Sequence, residues 1–171
     1  MSERVRGFGY LGLLFFVAIT AAALAALGQA WSTAAERERE RELEFRGNEI
    51  ARAIVAYRKA QPERPQSPVR LDDLLADRRG IKTRHHLRRA YADPFTGQPD
   101  WVLVAEPGGD PRSFSAVHSR SERVLLRQTS DDGTPITKAS DWLFSASAYE
   151  LRQAPGLAGL KPSEAASAAP P

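Results

Sequence analysis

The sequence predicts an α+β protein: one long N-terminal helix, its first half transmembrane, packed through its second half on a small antiparallel sheet with short helices. Three observations lead there. No charged residue occurs from Gly7 to Ala35. No proline occurs between Ser2 and Gln61, so nothing interrupts a helix over that whole stretch. Beyond Gln61, short runs of β-forming residues alternate with Pro/Gly turns. A chain of 171 residues suits about one ordinary domain and argues against a large multidomain enzyme. The absence of cysteine excludes disulfides, thiolate metal sites and a thiol nucleophile. A net charge of +3, mostly arginine spread along the chain, is no specific mark of a nucleic-acid partner.

Phe8 to Gly28 is the apolar element. Its roughly 21 residues make a helix of about 32 Å, enough for a hydrocarbon core of about 30 Å. A buried core helix would carry polar punctuation that this segment lacks. A cleavable secretory signal would use Arg4 and Arg6 as its basic region and Gly28-Gln29-Ala30 for a cut before Trp31, but the apolar stretch exceeds the usual length of such signals. A retained single-span anchor over 8–30 is the reading adopted.

The helix continues through 31–60, which is built almost wholly from good helix formers. Glu36 to Glu42 alternates in sign, so opposite charges fall three apart and like charges four apart. This run predicts a solvated face. Leu43, Gly47, Ile50, Ile54 and Tyr57 then form one apolar stripe at helical spacing. One continuous helix from about Phe8 to Ala60, roughly 80 Å long, is expected.

Three prolines within Gln61–Pro68 end it and open a globular domain over 61–153. A short helix is expected from Val69 to Asp77, with Leu71, Leu74 and Leu75 on one face, and a second from about Thr83 to Ala90, capped by Thr83. Asp93-Pro94-Phe95-Thr96-Gly97 predicts a turn. Trp101–Ala105 predicts a strand, Pro107–Pro111 a second turn, and Phe114–His118 the return strand. A third strand is expected over Asp141–Ala146, with Trp142, Phe144 and Ala146 on one face. Within Ser119–Lys138, Val124-Leu125-Leu126 could be a strand and Asp131-Asp132-Gly133 a turn. The Ala-, Pro- and Ser-rich 154–171 predicts a disordered tail.

Catalytic patterns are not found. Neither a phosphate-binding glycine loop nor a nucleophile elbow nor a zinc-binding His-Glu-x-x-His occurs. His85 and His86, adjacent on a helix, would point about 100° apart and could not share one metal. They are read as part of a solvated basic helix end. Catalysis is not expected, and no cofactor is implied.

The residues Arg4, Arg6, Gly7 and Phe8, followed directly by the apolar helix, resemble a prepilin of the type IV pilin and type II secretion pseudopilin superfamily. The domain is similar as well. A Pro-rich loop, a helix with Leu71-Asp72-Asp73-Leu74-Leu75, then Tyr91-Ala92-Asp93-Pro94-Phe95-Thr96-Gly97 before the Trp101 strand follow the order of major-subunit-like pseudopilins. The resemblance runs from Arg4 to Trp101 and more loosely to Phe144; 119–139 has no clear counterpart. It implies a leader over 1–7, cut by a prepilin peptidase between Gly7 and Phe8, and N-methylation of Phe8. It implies an inner-membrane protein with a cytoplasmic N-terminus and a periplasmic domain. Its partners would be other pseudopilins, the peptidase and an inner-membrane assembly platform, and it would join a short periplasmic filament. One position departs from the family pattern. The fifth mature residue, usually Glu, is Gly12, a departure that the family associates with minor or tip subunits. Gly9 and Gly12 do not fall at a small-xxx-small spacing.

The resemblance also raises calcium, which some major pseudopilins hold in a C-terminal loop. Asp131 and Asp132, with Ser130 and Thr134, could offer hard oxygen ligands, but adjacent acids beside Gly133 equally suit a turn, and the turn is adopted. Arg78, Arg79, Lys82, Arg84, Arg88 and Arg89 form a basic cluster that could neutralise phosphates. No aromatic residue is interleaved among them, so a solvated surface, or one complementary to a neighbour's Glu-rich helix, is preferred to nucleic-acid binding. Two other readings of the whole chain remain open: an exported soluble periplasmic binding domain cut after Ala30, and a single-span scaffold that never polymerises.

Overall fold

The computed structural model describes residues 5–63, 65–106 and 108–153, with side chains from Gly9 onward. The tail expected over 154–171 lies outside them, as do Arg4 and the side chains of Arg6 and Phe8. Helix α1 spans Val5–Lys59 without a break. The chain divides into two compact units, Met1–Glu38 and Arg39–Pro171.

In the second unit the stripe read from the sequence is the buried face of α1. Leu43, Ile50 and Ile54 are at most 1% exposed, and Tyr57 is buried with them. Gly47 is buried on the same face because the ring of Phe144 lies against its backbone. A Cβ at 47 would overlap that ring, so the helix penalty of a glycine is offset by the close approach it permits. Arginines finish the helix. Arg79 Nη2 donates to the Tyr57 carbonyl at 2.7 Å and Arg84 Nη1 to the Ala60 carbonyl at 3.3 Å. Cations at this negative end of the helix dipole satisfy carbonyls that have no partner within the helix.

A three-stranded antiparallel sheet packs on that face in the order β1 (Val102–Val104), β2 (Ala116–His118), β3 (Phe144–Ser145). Leu103 pairs with Val117, and Val117 with Phe144. Residues directly opposite share a face, so Val117 and Phe144 enter the core together. Trp101 anchors the start of β1, its Nε1 donating to the Tyr91 carbonyl at 2.8 Å while its ring meets Phe144 edge-on. Trp142 stacks on Phe144 at 5.3 Å, and Ala146 is fully buried, so all three residues reach the core, though only Phe144 of them lies in a strand.

The Asp-Pro turn forms as read. Asp93 is fully buried, takes the Phe95 N–H at 2.8 Å, and receives the Ser119 hydroxyl at 2.5 Å. Gly97 closes the turn with φ of +74°, a left-handed conformation that glycine adopts at no steric cost.

Several expectations are corrected. The first short helix is only Leu71–Leu75 (α2), begun where Asp73 Oδ2 accepts the Val69 and Arg70 N–H groups. No helix forms over Thr83–Ala90. Asp77 and Arg84 exchange backbone hydrogen bonds at 2.8 and 3.0 Å, and the His86 and Leu87 N–H groups both donate to the Leu74 carbonyl. Extended pairing there takes the donors and conformation that a helix would need. The third strand is two residues long. A 3-10 turn at Ala139–Asp141 precedes it, and helix α3 (Ala146–Gln153) follows directly. The 119–139 excursion has single bridges at Val124–Lys138 and Thr129–Pro135 in place of a strand, with the expected turn at Gly133, φ +83°. Nor is the charge run wholly solvated. Glu40 is buried and receives the N–H groups of Leu126 and Arg127, clasping the excursion to α1.

Candidate membrane-spanning segment and surface clusters

The first unit holds the feature with the clearest physical consequence. Among the described residues, α1 is the one helix long and apolar enough to cross a membrane. Its apolar stretch is wholly unburied: Tyr10, Phe15, Phe16 and Leu24 are each about two-thirds exposed. So much contiguous exposed apolar surface needs a lipid or protein environment. The helix suits one, because each internal N–H is paired within it. The Thr20 hydroxyl bonds back to the Phe16 carbonyl at 2.8 Å, leaving no unpaired donor on that side chain. Trp31, 79% exposed, closes the stretch with an amphipathic ring of the kind found at membrane–water interfaces.

The backbone at Gly7 and Phe8 is the first turn of α1. Gly12 has nothing within 4 Å of a would-be Cβ, so a larger side chain is sterically free there.

Of the basic cluster the fold takes one member in, and the other five, Arg84 and Arg89 included, are exposed. Arg79 is withdrawn from the surface: its Nε and Nη2 hold both oxygens of Asp77 at 2.9 Å, and its guanidinium lies 3.4 Å over the Tyr57 ring. His86 Nε2 approaches the same Asp77 carboxylate at 3.1 Å, and its ring meets Tyr57 edge-on. Asp77 is 4% exposed, and the hydrogen bonds from Arg79 hold its carboxyl well below the usual carboxylate range. The expectation of solvated histidines is therefore corrected for His86, which is a buried partner of Asp77, while His85 Nδ1 contacts the Leu75 carbonyl. Arg84 bonds Ala60, and Arg89 lies 5.0 Å over Tyr91. Arg78, Lys82 and Arg88 are exposed. The Asp77–Arg79–His86–Tyr57 arrangement is not legible in the sequence, since it joins a residue of α1 to a loop through non-local contacts.

The two calcium candidates are committed elsewhere. Asp131 pairs with Arg127 and Arg152, both at 3.1 Å. Asp132 Oδ1 takes the Ser130 hydroxyl and the Thr134 N–H, closing the turn. Among the described residues, no group of three or more His, Asp or Glu side chains is placed to hold a metal. Beside Asp131, Glu44 is pushed above its ordinary value by burial and by that neighbouring acid, despite its 2.8 Å bond from Arg127. The cluster ties α1, the excursion and α3 together, since Arg152 also bonds Asn48 at 2.6 Å.

Set against protein-family models, curated proteins and solved structures, the chain matches none.

Proposed function

We propose that this chain is a pseudopilin-like subunit of a type II secretion system or a related type IV pilus-like machine. It is anchored in the bacterial inner membrane, trimmed by a prepilin peptidase between Gly7 and Phe8, methylated on Phe8, and assembled with other pseudopilins into a short periplasmic filament. Its work is assembly rather than catalysis. The observation that carries this reading is α1. One unbroken helix joins an exposed, charge-free segment of membrane-spanning length to the stripe that builds the core of a small α+β domain. A subunit that must sit in lipid before assembly and pack helix against helix afterwards needs this combination. Contacts between unlike faces then extend into a filament instead of closing a ring. The Asp93 turn and the Trp101-led strand, which carry the rest of the resemblance, lend it support as local features of the sequence that fold as read.

The deciding measurement is the N-terminal mass of the protein isolated from membranes of a host with a prepilin peptidase. The expected chain begins at N-methylated Phe8, and Gly7→Leu leaves the precursor uncut. An intact Met1 would favour a plain single-span scaffold, and a chain beginning at Trp31 an exported soluble domain. Either result overturns the proposal.

A further inference from the structure

Where α1 ends, the loop after α2 folds back on itself. Backbone bonds between Asp77 and Arg84 close it, and Arg79 pins its base to Asp77 and the Tyr57 carbonyl. Gln61 Nε2 adds a bond to the Arg79 carbonyl at 3.2 Å. The intervening tip, Gly80-Ile81-Lys82-Thr83, is therefore held in place by its ends. It presents Ile81 with no burial at all (106% relative exposure). Between this tip and the end of α1 runs a groove of about 570 Å³, with Ala60, Gln61 and Ile81 along it and Lys82 and Arg84 at its wall. Lys82 is exposed and has no carboxylate partner among the described residues, and Arg84 spends one nitrogen on Ala60. The one acid bordering the groove, Asp77, is 4% exposed and neutralised by Arg79.

We propose that this groove docks an acidic, extended peptide segment of a partner protein, with carboxylates received by Lys82 and Arg84 and an aliphatic side chain laid against Ile81 and Ala60. Charge complementarity selects an anionic occupant. The exposed isoleucine selects one that also brings apolar surface, because burying it is favourable in proportion to the area taken from water. Because the tip is exposed, an anionic bilayer is the rival occupant, and the titration below separates the two. Among the described residues no aromatic side chain lines it, so nucleic-acid bases have nothing to stack on. The closed loop is ordered before binding, which lowers the entropic cost of docking. This inference does not depend on filament assembly or on Gly7–Phe8 processing, so either can fail without the other.

The natural chain lacks cysteine, so Arg78→Cys in the full-length protein, an exposed position beside the groove but not lining it, gives one attachment point for an environment-sensitive fluorophore. The labelled protein in detergent micelles is titrated with a peptide of about ten residues rich in Glu and Leu, with its Gln counterpart, with a single-stranded oligonucleotide, and with vesicles containing phosphatidylglycerol. The expected result is a saturable blue shift with the Glu peptide. Binding should weaken about tenfold for the Gln peptide and about tenfold on Lys82→Glu, but hold on Arg112→Glu, an exposed cation outside the loop. Far-UV circular dichroism confirms that each variant is folded, as substitution at exposed positions allows. Equal response to Glu and Gln peptides, indifference to Lys82→Glu, or a response to the oligonucleotide or vesicles that exceeds the peptide's would overturn the proposal.

Discussion

Gly47 and Ile54 lie two turns apart on the buried face of α1 and fail in opposite ways when changed. Gly47→Ala gains helix propensity of about 1 kcal/mol, yet its methyl group would enter the space of the Phe144 ring. Overpacking of this kind costs about 1–3 kcal/mol, so a net loss is expected. Ile54→Ala leaves a cavity instead and should cost about 2–5 kcal/mol. Denaturant unfolding of the full chain in micelles, followed through the near-ultraviolet signal of Trp101 and Trp142, would measure both. Unchanged midpoints would mean that the helix does not pack on the sheet. Asp77 carries a pH effect. The folded state depresses its carboxyl, so below about pH 4 the unfolded chain takes up more protons than the folded one. The contribution is fully present above the ordinary carboxylate value and is lost as the pH falls toward the depressed one. Asp77→Asn should lower stability at pH 7 by about 3–5 kcal/mol, since Arg79 then stays buried without its anion, and should flatten the acid limb of the stability profile. An acid limb as steep as the native one would assign it to other carboxylates.

At the level of elements, periodic signals were legible and signals made by partners were not. The α1 stripe repeats at helical spacing over several turns, and the Asp93–Gly97 turn needs residues that few other structures favour, so both could be read from the chain. Thr83–Ala90 misled because Thr83 suits a cap, while only Leu87 of that stretch reaches the core and the Asp77–Arg84 pairing is non-local. Helix α3 has one local sign in the sequence. Ser145 caps it, its hydroxyl taking the Ala148 N–H at 3.1 Å, but the alternation of Trp142, Phe144 and Ala146 reads straight through it as strand. The 119–139 excursion has weak β signals of its own because a carboxylate from α1 supplies its order. Glu40→Ala should leave the Leu126 and Arg127 N–H groups unpaired at a cost of about 1–3 kcal/mol. Hydrogen exchange at those two amides should accelerate well before that of Val117 in the central strand. Uniform exchange across the domain would show that the clasp is not what orders the excursion.

For the whole molecule, the apolar half of α1 and the proposed filament pose one electrostatic problem. If the mature chain begins at Phe8, every subunit carries an α-amine into a core of packed apolar helices. A charge buried without a partner costs several kcal/mol, so each amine requires a carboxylate nearby. Gly12 supplies none, and no Asp or Glu follows Phe8 until Glu36. A homopolymer would therefore stack uncompensated amines, whereas a Glu-bearing neighbour relieves the strain for an occasional subunit of this kind. Overexpressed alone with its assembly machine, the protein should form few filaments or none, and co-expression with a subunit bearing Glu at its fifth mature position should draw it in. Gly12→Glu should promote self-assembly, since each amine then has a carboxylate available. Filament counts by electron microscopy across the three conditions read the answer. Long homopolymers of the native sequence would refute the minor-subunit assignment. They would leave the peptidase site to be judged by the mass of the N-terminus alone.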